Sequence, residues 1–174
     1  MCSRGIVLDD ICSSSTLTAL NRSSRWRVSV HLFEGWWRSG SRMGLSTHNA
    51  AISTFALGRK WALALSLFAR MQAKTAEGRA AAVPVRDSVS YGAVLHACAQ
   101  GAAWEASIAI METMVREGLK PTNTAVGALV GAHAKVSKWQ EASQIVHVAL
   151  SRDWPVTPVS YSSAINAAAR ESRR

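Results

Sequence analysis

Residues 88–122 read SVSYGAVLHACAQGAAWEASIAIMETMVREGLKPT, and this stretch contains two amphipathic patterns separated by a short break. In its first half, apolar residues recur every three or four positions, as they do on one face of a helix. The second half starts at Trp104 and ends before Gly118, because glycine favours a helix terminus. Pro121 then blocks any continuation of the helix. The stretch therefore predicts two helices joined by a tight turn.

The same pattern returns along the chain with a period of 35 residues. Trp139 follows Trp104 by 35 positions and Trp61 follows Trp26 by 35 positions. Between Trp61 and Trp104 the gap is one period plus eight residues, and the extra residues fit within AKTAEGRAAAVPV, residues 73–85. Two further columns keep this register, a small one (Ser29, Ala64, Ser107 and Ala142) and an aliphatic one (Leu17, Ile52, Leu95, Val130 and Ile165). Positions that recur with the same period predict stacked repeats. In such repeats, small residues let the helices approach closely and the Trp side chains pack between units.

The 174 residues carry a net charge of +9, which is distributed unevenly. Residues 1–86 contain twelve Lys or Arg against four acids, whereas residues 87–174 contain eight against seven. A basic surplus of this kind favours a polyanionic partner such as nucleic acid. The bland alternative, a solvated basic surface, explains the charge equally well.

Several functional classes lack the residues that they need. The three cysteines have no C-x-x-C spacing and the five histidines form no cluster, so the sequence predicts no metal and no cofactor. The longest uncharged apolar run is too short to span a bilayer, which predicts no membrane partner. Glu105, Glu112 and Glu117 have the spacing of solvated residues on a helix, and Cys98 lies among small apolar residues that predict a packed, inert thiol. We therefore expect no catalytic activity.

Residues 88–122 resemble the pentatricopeptide repeat, a helix–turn–helix unit of 35 residues with a Ser/Thr-Tyr start, a small residue early in the second helix and Gly-x-x-Pro before the next unit. LSTHNAAISTFALGRKWALALSLFARM, residues 45–71, is similar to the same unit, as is PVSYSSAINAAAR, residues 158–170. The resemblance is weak over residues 11–45, where Ser13 takes the place of the Tyr. It implies an all-α, right-handed solenoid of about four and a half units, preceded by an N-terminal tail. The predicted ranges are 1–10 (tail), 11–45 (degenerate unit one), 46–87 (unit two, with the insertion), 88–122 (unit three), 123–157 (unit four) and 158–174 (first helix of unit five).

The resemblance also implies that the first helices line a concave face that binds single-stranded RNA, one base for each unit. In the family, the residue after the Tyr and the last residue of the unit choose the base. In unit two these positions hold Asn49 and Asp87, which resemble the family's uridine-reading pair. The other units offer Ser14 with Gly44, Gly92 with Thr122, Gly127 with Thr157, and Ser162. Because glycine has no side chain with which to read a base edge, only unit two carries a standard pair, and Ser14 and Ser162 are weaker candidates.

Phosphate contacts form a separate prediction. The Tyr of the repeat and the residues that replace it form a Tyr column, which consists of Ser13, His48, Tyr91, Val126 and Tyr161. Nine residues after this column stand Arg22, Leu57, Gln100, Lys135 and Arg170. Arg22, Lys135 and Arg170 are candidates for phosphate contact, because the resemblance places their column on the same face as the bases. Basic residues near a helix C-terminus also complement the helix dipole, and this explanation stays open.

Two readings of the function remain. The first is a non-catalytic RNA-binding module of pentatricopeptide repeat type, acting in RNA processing, stability or translation in a mitochondrion or chloroplast. The second is a solenoid scaffold that binds a protein or peptide on its concave face. The N-terminus shows no clear transit peptide, since Asp9 and Asp10 interrupt it. The apolar residues Tyr161, Ala164 and Ile165 lead us to expect a longer array of repeats, or pairing with a second copy.

Overall fold

A computed structural model describes residues 10–23, 25–41, 43–71, 85–136 and 138–171. These residues form helices and no β-strand. The helices are α1 (Asp10–Arg22), α2 (Trp26–Arg38), α3 (Leu45–Leu57), α4 (Trp61–Arg70), α5 (Ser88–Gln100), α6 (Trp104–Arg116), α7 (Asn123–Lys135), α8 (Trp139–Ser151) and α9 (Pro158–Glu171). The predicted insertion lies almost entirely outside the described residues, as does the predicted tail up to residue 9. Helix α1 starts at Asp10, which the sequence had assigned to that tail.

The helices form two layers. The first helices (α1, α3, α5, α7 and α9) pack against one another in series. Each second helix (α2, α4, α6 or α8) packs between the first helix of its own unit and the first helix of the next unit. This arrangement confirms the predicted all-α solenoid of stacked helix–turn–helix units.

The turns within the units repeat as faithfully as the helices do. After α3, the Lys60 amide donates to the Phe55 carbonyl at 2.8 Å, and after α5 the Ala103 amide donates to the Cys98 carbonyl at 2.9 Å. These six-residue closures need one residue in the left-handed region, and Arg59 (φ +55°) and Ala102 (φ +56°) supply it. Equal turns give every helix pair nearly the same geometry, which keeps the columns of side chains in register.

The core lies between the two layers and contains the columns that the sequence predicted. Leu17, Ile52, Leu95 and Val130 are fully buried on the first helices, whereas Ile165, the fifth member of that column, is 66 % exposed and lies outside the core. Ser29, Ala64, Ser107 and Ala142 are fully buried where each second helix starts. Burial raises the pKa of the Cys98 thiol to about 11, so this cysteine is protonated and unreactive at neutral pH, as predicted.

The tryptophan column is only partly buried. Trp61 is 36 % exposed, and Trp26 is half-buried. Trp26 and Trp61 each lie close to a glycine of the following unit: a Cβ atom on Gly58 would come within 2.8 Å of the Trp26 ring, and one on Gly101 would overlap Trp61. The rings therefore join successive units as predicted, but they do so at the rim of the core.

Glu117 corrects a second prediction, because it is not a solvated residue. Its side chain is only 10 % exposed and forms an ion pair with Arg86 at 3.5 Å. The Arg86 guanidinium also donates to the Phe68 carbonyl at 3.1 Å and covers the Phe68 ring. Arg86 thus connects the end of α4 to the end of α6. The sequence could not reveal this contact, since Arg86 follows the insertion and fits no column.

We expect Gly101→Ala to lower the free energy of unfolding by about 1–3 kcal/mol, because the added methyl group overlaps Trp61 at the base of its side chain. Gly35→Ala in α2 is the matched control. No atom lies within 4 Å of its added methyl group, so this helical substitution should stabilise the chain by up to about 1 kcal/mol. Urea unfolding measures both changes. An equal loss from Gly101→Ala in a Trp61→Ala background would contradict the overlap.

Candidate nucleic-acid interface

The first helices leave one side uncovered, opposite the second helices, and we call this side the first-helix face. It consists of residues spaced about one turn apart along each first helix. In α5 these are Val89, Gly92, His96 and Gln100, and in α9 they are Val159, Ser162, Asn166 and Arg170. All the residues predicted to contact RNA belong to this face or to the N-terminal caps beside it.

Asn49 and Asp87 are brought together, as their predicted pairing requires. Asp87 is the N-cap of α5, and its carboxylate accepts from the Ser90 amide at 2.7 Å. The Asn49 amide donates to the same carboxylate at 3.4 Å, and the Ser90 hydroxyl lies 2.7 Å from the Asn49 carbonyl oxygen. Asn49 keeps one N–H and one lone pair free, on a half-buried side chain whose orientation is fixed. Such a group can donate to and accept from one base edge.

Unit one is built differently, because its last residue is Gly44. Helix α3 has Gly44 as its N-cap and receives no cap from that residue. The Asp10 carboxylate of α1 caps α3 instead. It lies against Gly44 and accepts from the Thr47 amide at 3.2 Å and from the Thr47 hydroxyl at 2.6 Å. Burial alone would raise the pKa of Asp10, but these hydrogen bonds hold the pKa below its ordinary value. The Ser14 hydroxyl donates to the Ile11 carbonyl at 3.1 Å.

Gly92 of unit three and Gly127 of unit four differ in how much open space surrounds them. A Cβ atom on Gly92 would lie 3.3 Å from the Thr124 hydroxyl and 3.9 Å from the Thr122 hydroxyl, so two hydroxyl groups already border that position. A Cβ atom on Gly127 would lie 3.6 Å from the Ser160 hydroxyl. Thr124 escaped the sequence analysis because its proximity to Gly92 depends on how α5 and α7 pack.

A column of exposed apolar residues was also missed. Ile11, Val89 and Val159 occupy the same position near the start of α1, α5 and α9, and they are 70 %, 63 % and 69 % exposed. Their signal was present in the sequence, since each stands two residues before the Tyr column. Apolar side chains beside the polar pairs can pack against the faces of bases. Ser162, three residues after Val159, is exposed and donates to the Val159 carbonyl at 3.0 Å.

The C-terminal ends of the first helices form a cationic edge, defined by Arg22, Lys135 and Arg170. All three side chains are exposed, and none forms an ion pair with a carboxylate in the part of the chain that the structure describes. The Lys135 ammonium donates to the Gln100 side chain at 3.2 Å. Burial and the charge of Arg59 lower the pKa of Lys135, so the positive charges of two units influence one another here. An anion can bind at this edge.

Other kinds of site find no support within the described ranges. No three His, Cys, Asp or Glu side chains there are grouped so that they could hold a metal ion. Within those ranges, too, every helix is either too short or too polar to cross a bilayer.

The comparisons with known proteins agree with this geometry. No protein-family model matches the sequence, and no curated protein matches it. Among solved structures, the chain is similar to the pentatricopeptide repeat protein PPR10 in complex with an 18-nt psaJ RNA element, with a TM-score of 0.78 and 24 % identity over 96 % of this chain. PPR10 from maize gives a TM-score of 0.74 and 18 % identity over 95 % of this chain.

This chain has the pentatricopeptide repeat fold. The predicted resemblance is thereby confirmed for the fold. The chain spans about a quarter of the length of the PPR10 chains that it matches, which are covered to 24 % and 22 %. The pentatricopeptide repeat fold accounts for the uncovered first-helix face and for the position of each N-cap beside it.

We expect Asp87→Ala to lower the free energy of unfolding by about 1 kcal/mol, because α5 loses its N-cap and the Ser90 amide loses its acceptor. Thr122→Ala is the matched control, since Thr122 caps α7 by accepting from the Ala125 amide at 3.2 Å. Urea unfolding should show similar losses for both variants. No loss from Asp87→Ala would mean that its carboxylate does not cap α5 in solution.

We expect the stability difference between the wild-type chain and Asp10→Asn to depend on pH. The folded-state pKa of Asp10 is lowered, so its carboxylate stabilises the fold above its unfolded pKa, and this contribution disappears as the pH falls through the folded pKa. The urea midpoints of the two proteins should therefore differ at pH 7 and converge in acid. The same difference at both pH values would contradict an ionised cap from Asp10.

Proposed function

We propose that this chain is a non-catalytic module that binds single-stranded RNA along its first-helix face. One observation carries the proposal: Asp87 and Ser90 hold the Asn49 amide in place, and this amide keeps a free donor and a free acceptor. The Asn49 amide therefore matches the edge of one pyrimidine, and uridine is the base that the resemblance implies.

The surroundings of Asn49 support the same reading. The exposed side chain of Val89 lies near the start of α5, next to the Asp87 cap, and offers an apolar surface to the face of a base. The cationic edge faces solvent at the other end of the first helices and suits phosphate groups. PPR10, which shares this fold, has been solved with bound RNA. The two properties that a single strand needs, base contact and neutralisation of phosphate, thus occur on one face.

The arrangement also limits the expected affinity. One good base contact is worth about 1–3 kcal/mol, and Gly92 and Gly127 contribute no side chain. The remaining affinity has to come from phosphate contacts, which weaken as the salt concentration rises. We therefore expect binding that is modest, salt-sensitive and selective at a single nucleotide.

An organellar role is part of the proposal, because the resemblance implies RNA processing, stability or translation in a mitochondrion or chloroplast. Microscopy of the full-length protein fused at its C-terminus to a fluorescent protein tests this part. A signal confined to the cytosol would contradict it without affecting RNA binding.

A protein-binding scaffold is the second candidate, and one observation favours it. A groove of about 320 Å³ between α6 and α8 is lined by Met111, Ile145 and Val148, and buried His133 borders it. His133 Nδ1 donates to the Leu129 carbonyl at 2.8 Å, while Nε2 has no hydrogen-bond partner among the described residues. An apolar side chain would fit this groove. The groove lies on the second-helix side, so occupation there would not compete with RNA.

We expect Asn49→Ala to weaken binding to a U-rich single strand about tenfold, because one base contact is lost. The measurement is fluorescence anisotropy of the 174-residue chain with labelled U-rich, A-rich and C-rich 12-nucleotide RNA at two salt concentrations. The salt dependence should not change, since Asn49 carries no charge. Gln144→Ala removes an exposed side-chain amide from α8, away from the first-helix face, and should bind like the wild-type chain.

Three results would contradict parts of the proposal. Equal binding of the three RNAs that disappears at the higher salt concentration would leave only a basic surface. A preference for U-rich RNA that survives in Asn49→Ala would remove Asn49 from the site. Absence of binding at the lower salt concentration would overturn the RNA-binding function and favour the scaffold.

A further inference from the structure

The first-helix face has an open space between α7 and α9, where α7 has Gly131 in place of a larger residue. A Cβ atom on Gly131 would meet no atom within 4 Å, so the space above this glycine is open. The corresponding positions of α5 and α9 hold His96 and Asn166. Between α7 and α9 the open space forms a pocket of about 220 Å³. This volume is below the roughly 300–1,000 Å³ that is usual for drug-sized ligands.

The lining of this pocket combines two cations with uncharged polar groups. Lys135 and Arg170 border the pocket at the C-terminal ends of their helices, and Ser163 and Asn166 border it one or two turns earlier. Neither cation forms an ion pair with a described carboxylate. The Asn166 side chain is exposed and forms no hydrogen bond within the described part of the chain, so both ends of its amide are available.

These groups match the parts of one nucleotide. A phosphate requires cations and donors, which Lys135 and Arg170 supply at one end of the pocket. A base edge requires a donor beside an acceptor, which the Asn166 amide supplies. Asn166 and Arg170 are four residues apart in a helix, so they lie about 6 Å apart along its axis, on the same side. Small residues on the floor, Gly131 and Ala134, let the ligand approach the backbone of α7.

We propose that the pocket between α7 and α9 binds one nucleotide of the RNA, with its phosphate between Lys135 and Arg170 and its base edge on Asn166. The inference rests on the proposed function and adds a second base contact to that of Asn49. It also assigns a role to the unit in which Gly127 cannot read a base. The base contact that Gly127 cannot make comes instead from Asn166 of α9, which lies one turn after the position that follows the Tyr column in that helix.

The test fills the pocket without disturbing the fold. Gly131→Leu places an aliphatic side chain in the open space, and replacing a helical glycine also favours the helix. Gly35→Leu in α2 is the matched control: it is the same substitution in a helix, also with no atom within 4 Å of the new Cβ atom, but on a second helix. Both variants should unfold at least as late in urea as the wild-type chain.

Anisotropy with the labelled U-rich, A-rich and C-rich 12-nucleotide RNAs then separates the outcomes. We expect Gly131→Leu to weaken binding of the best of these RNAs about tenfold, while Gly35→Leu leaves binding unchanged. Asn166→Ala should weaken binding about fivefold without changing its salt dependence, because it removes a base contact but no charge.

Other results would overturn the inference and are distinguishable from failure of the proposed function. If the wild-type chain binds RNA but Gly131→Leu binds equally well, the pocket is empty and RNA binding stands. If Gly131→Leu weakens binding but Asn166→Ala does not, the pocket holds phosphate only and the base contact is wrong. If the wild-type chain binds none of the RNAs, the proposed function fails and this inference fails with it.

Discussion

The distance between the two helices of a unit is the constraint on which the rest of the structure depends. The first turn of each second helix contains a small residue that is fully buried, namely Ser29, Ala64, Ser107 or Ala142. A larger side chain there would overpack the contact and push the layers apart. Because the first helices also pack against one another, a larger distance within a unit would also change the spacing between units. That spacing sets the distance between Asn49 and Asp87, which belong to successive first helices and their caps.

Capping and recognition make use of the same residues. A helix N-terminus requires an acceptor for its free N–H groups, so the residue before each first helix tends to be polar for reasons unrelated to RNA. Asp87 and Thr122 meet this requirement themselves, and Asp10 meets it where Gly44 cannot. A polar residue at the end of a unit is therefore weak evidence of base reading. What distinguishes unit two is that the Asp87 carboxylate also orients a second polar group, the Asn49 amide.

The sequence was sufficient for the features that repeat and insufficient for the features that occur once. A period of 35 residues predicted the helix pairs and the buried columns, because these follow from register alone. The approach of Asn49 to Asp87 was predicted by the resemblance to the pentatricopeptide repeat. The cap from Asp10, the Thr124 hydroxyl near Gly92 and the ion pair between Arg86 and Glu117 fit no column. They depend on distances between particular helices, and one sequence does not contain those distances. The exposure of Trp61 has a related explanation: the sequence showed that a large side chain packs between the units, but not that it lies at the rim of the core.

Under the proposed function, the units divide the work of binding between them. In unit two the residue eight positions after Asn49 is Leu57, which carries no charge, so this unit contributes base contact and little phosphate contact. Units four and five combine both kinds of contact, since Lys135 and Arg170 carry charge and the proposed base contact comes from Asn166 instead of Gly127. Lys135 and Arg59 are close enough for the charge of one to lower the pKa of the other, which raises the local attraction for an anion. Attraction of this kind is screened by salt and does not depend on base identity, whereas the Asn49 amide depends on base identity and not on salt. Charge contacts and base contacts therefore respond to different variables, so a substitution of Asn49 or Asn166 can alter selectivity without altering the salt dependence of binding.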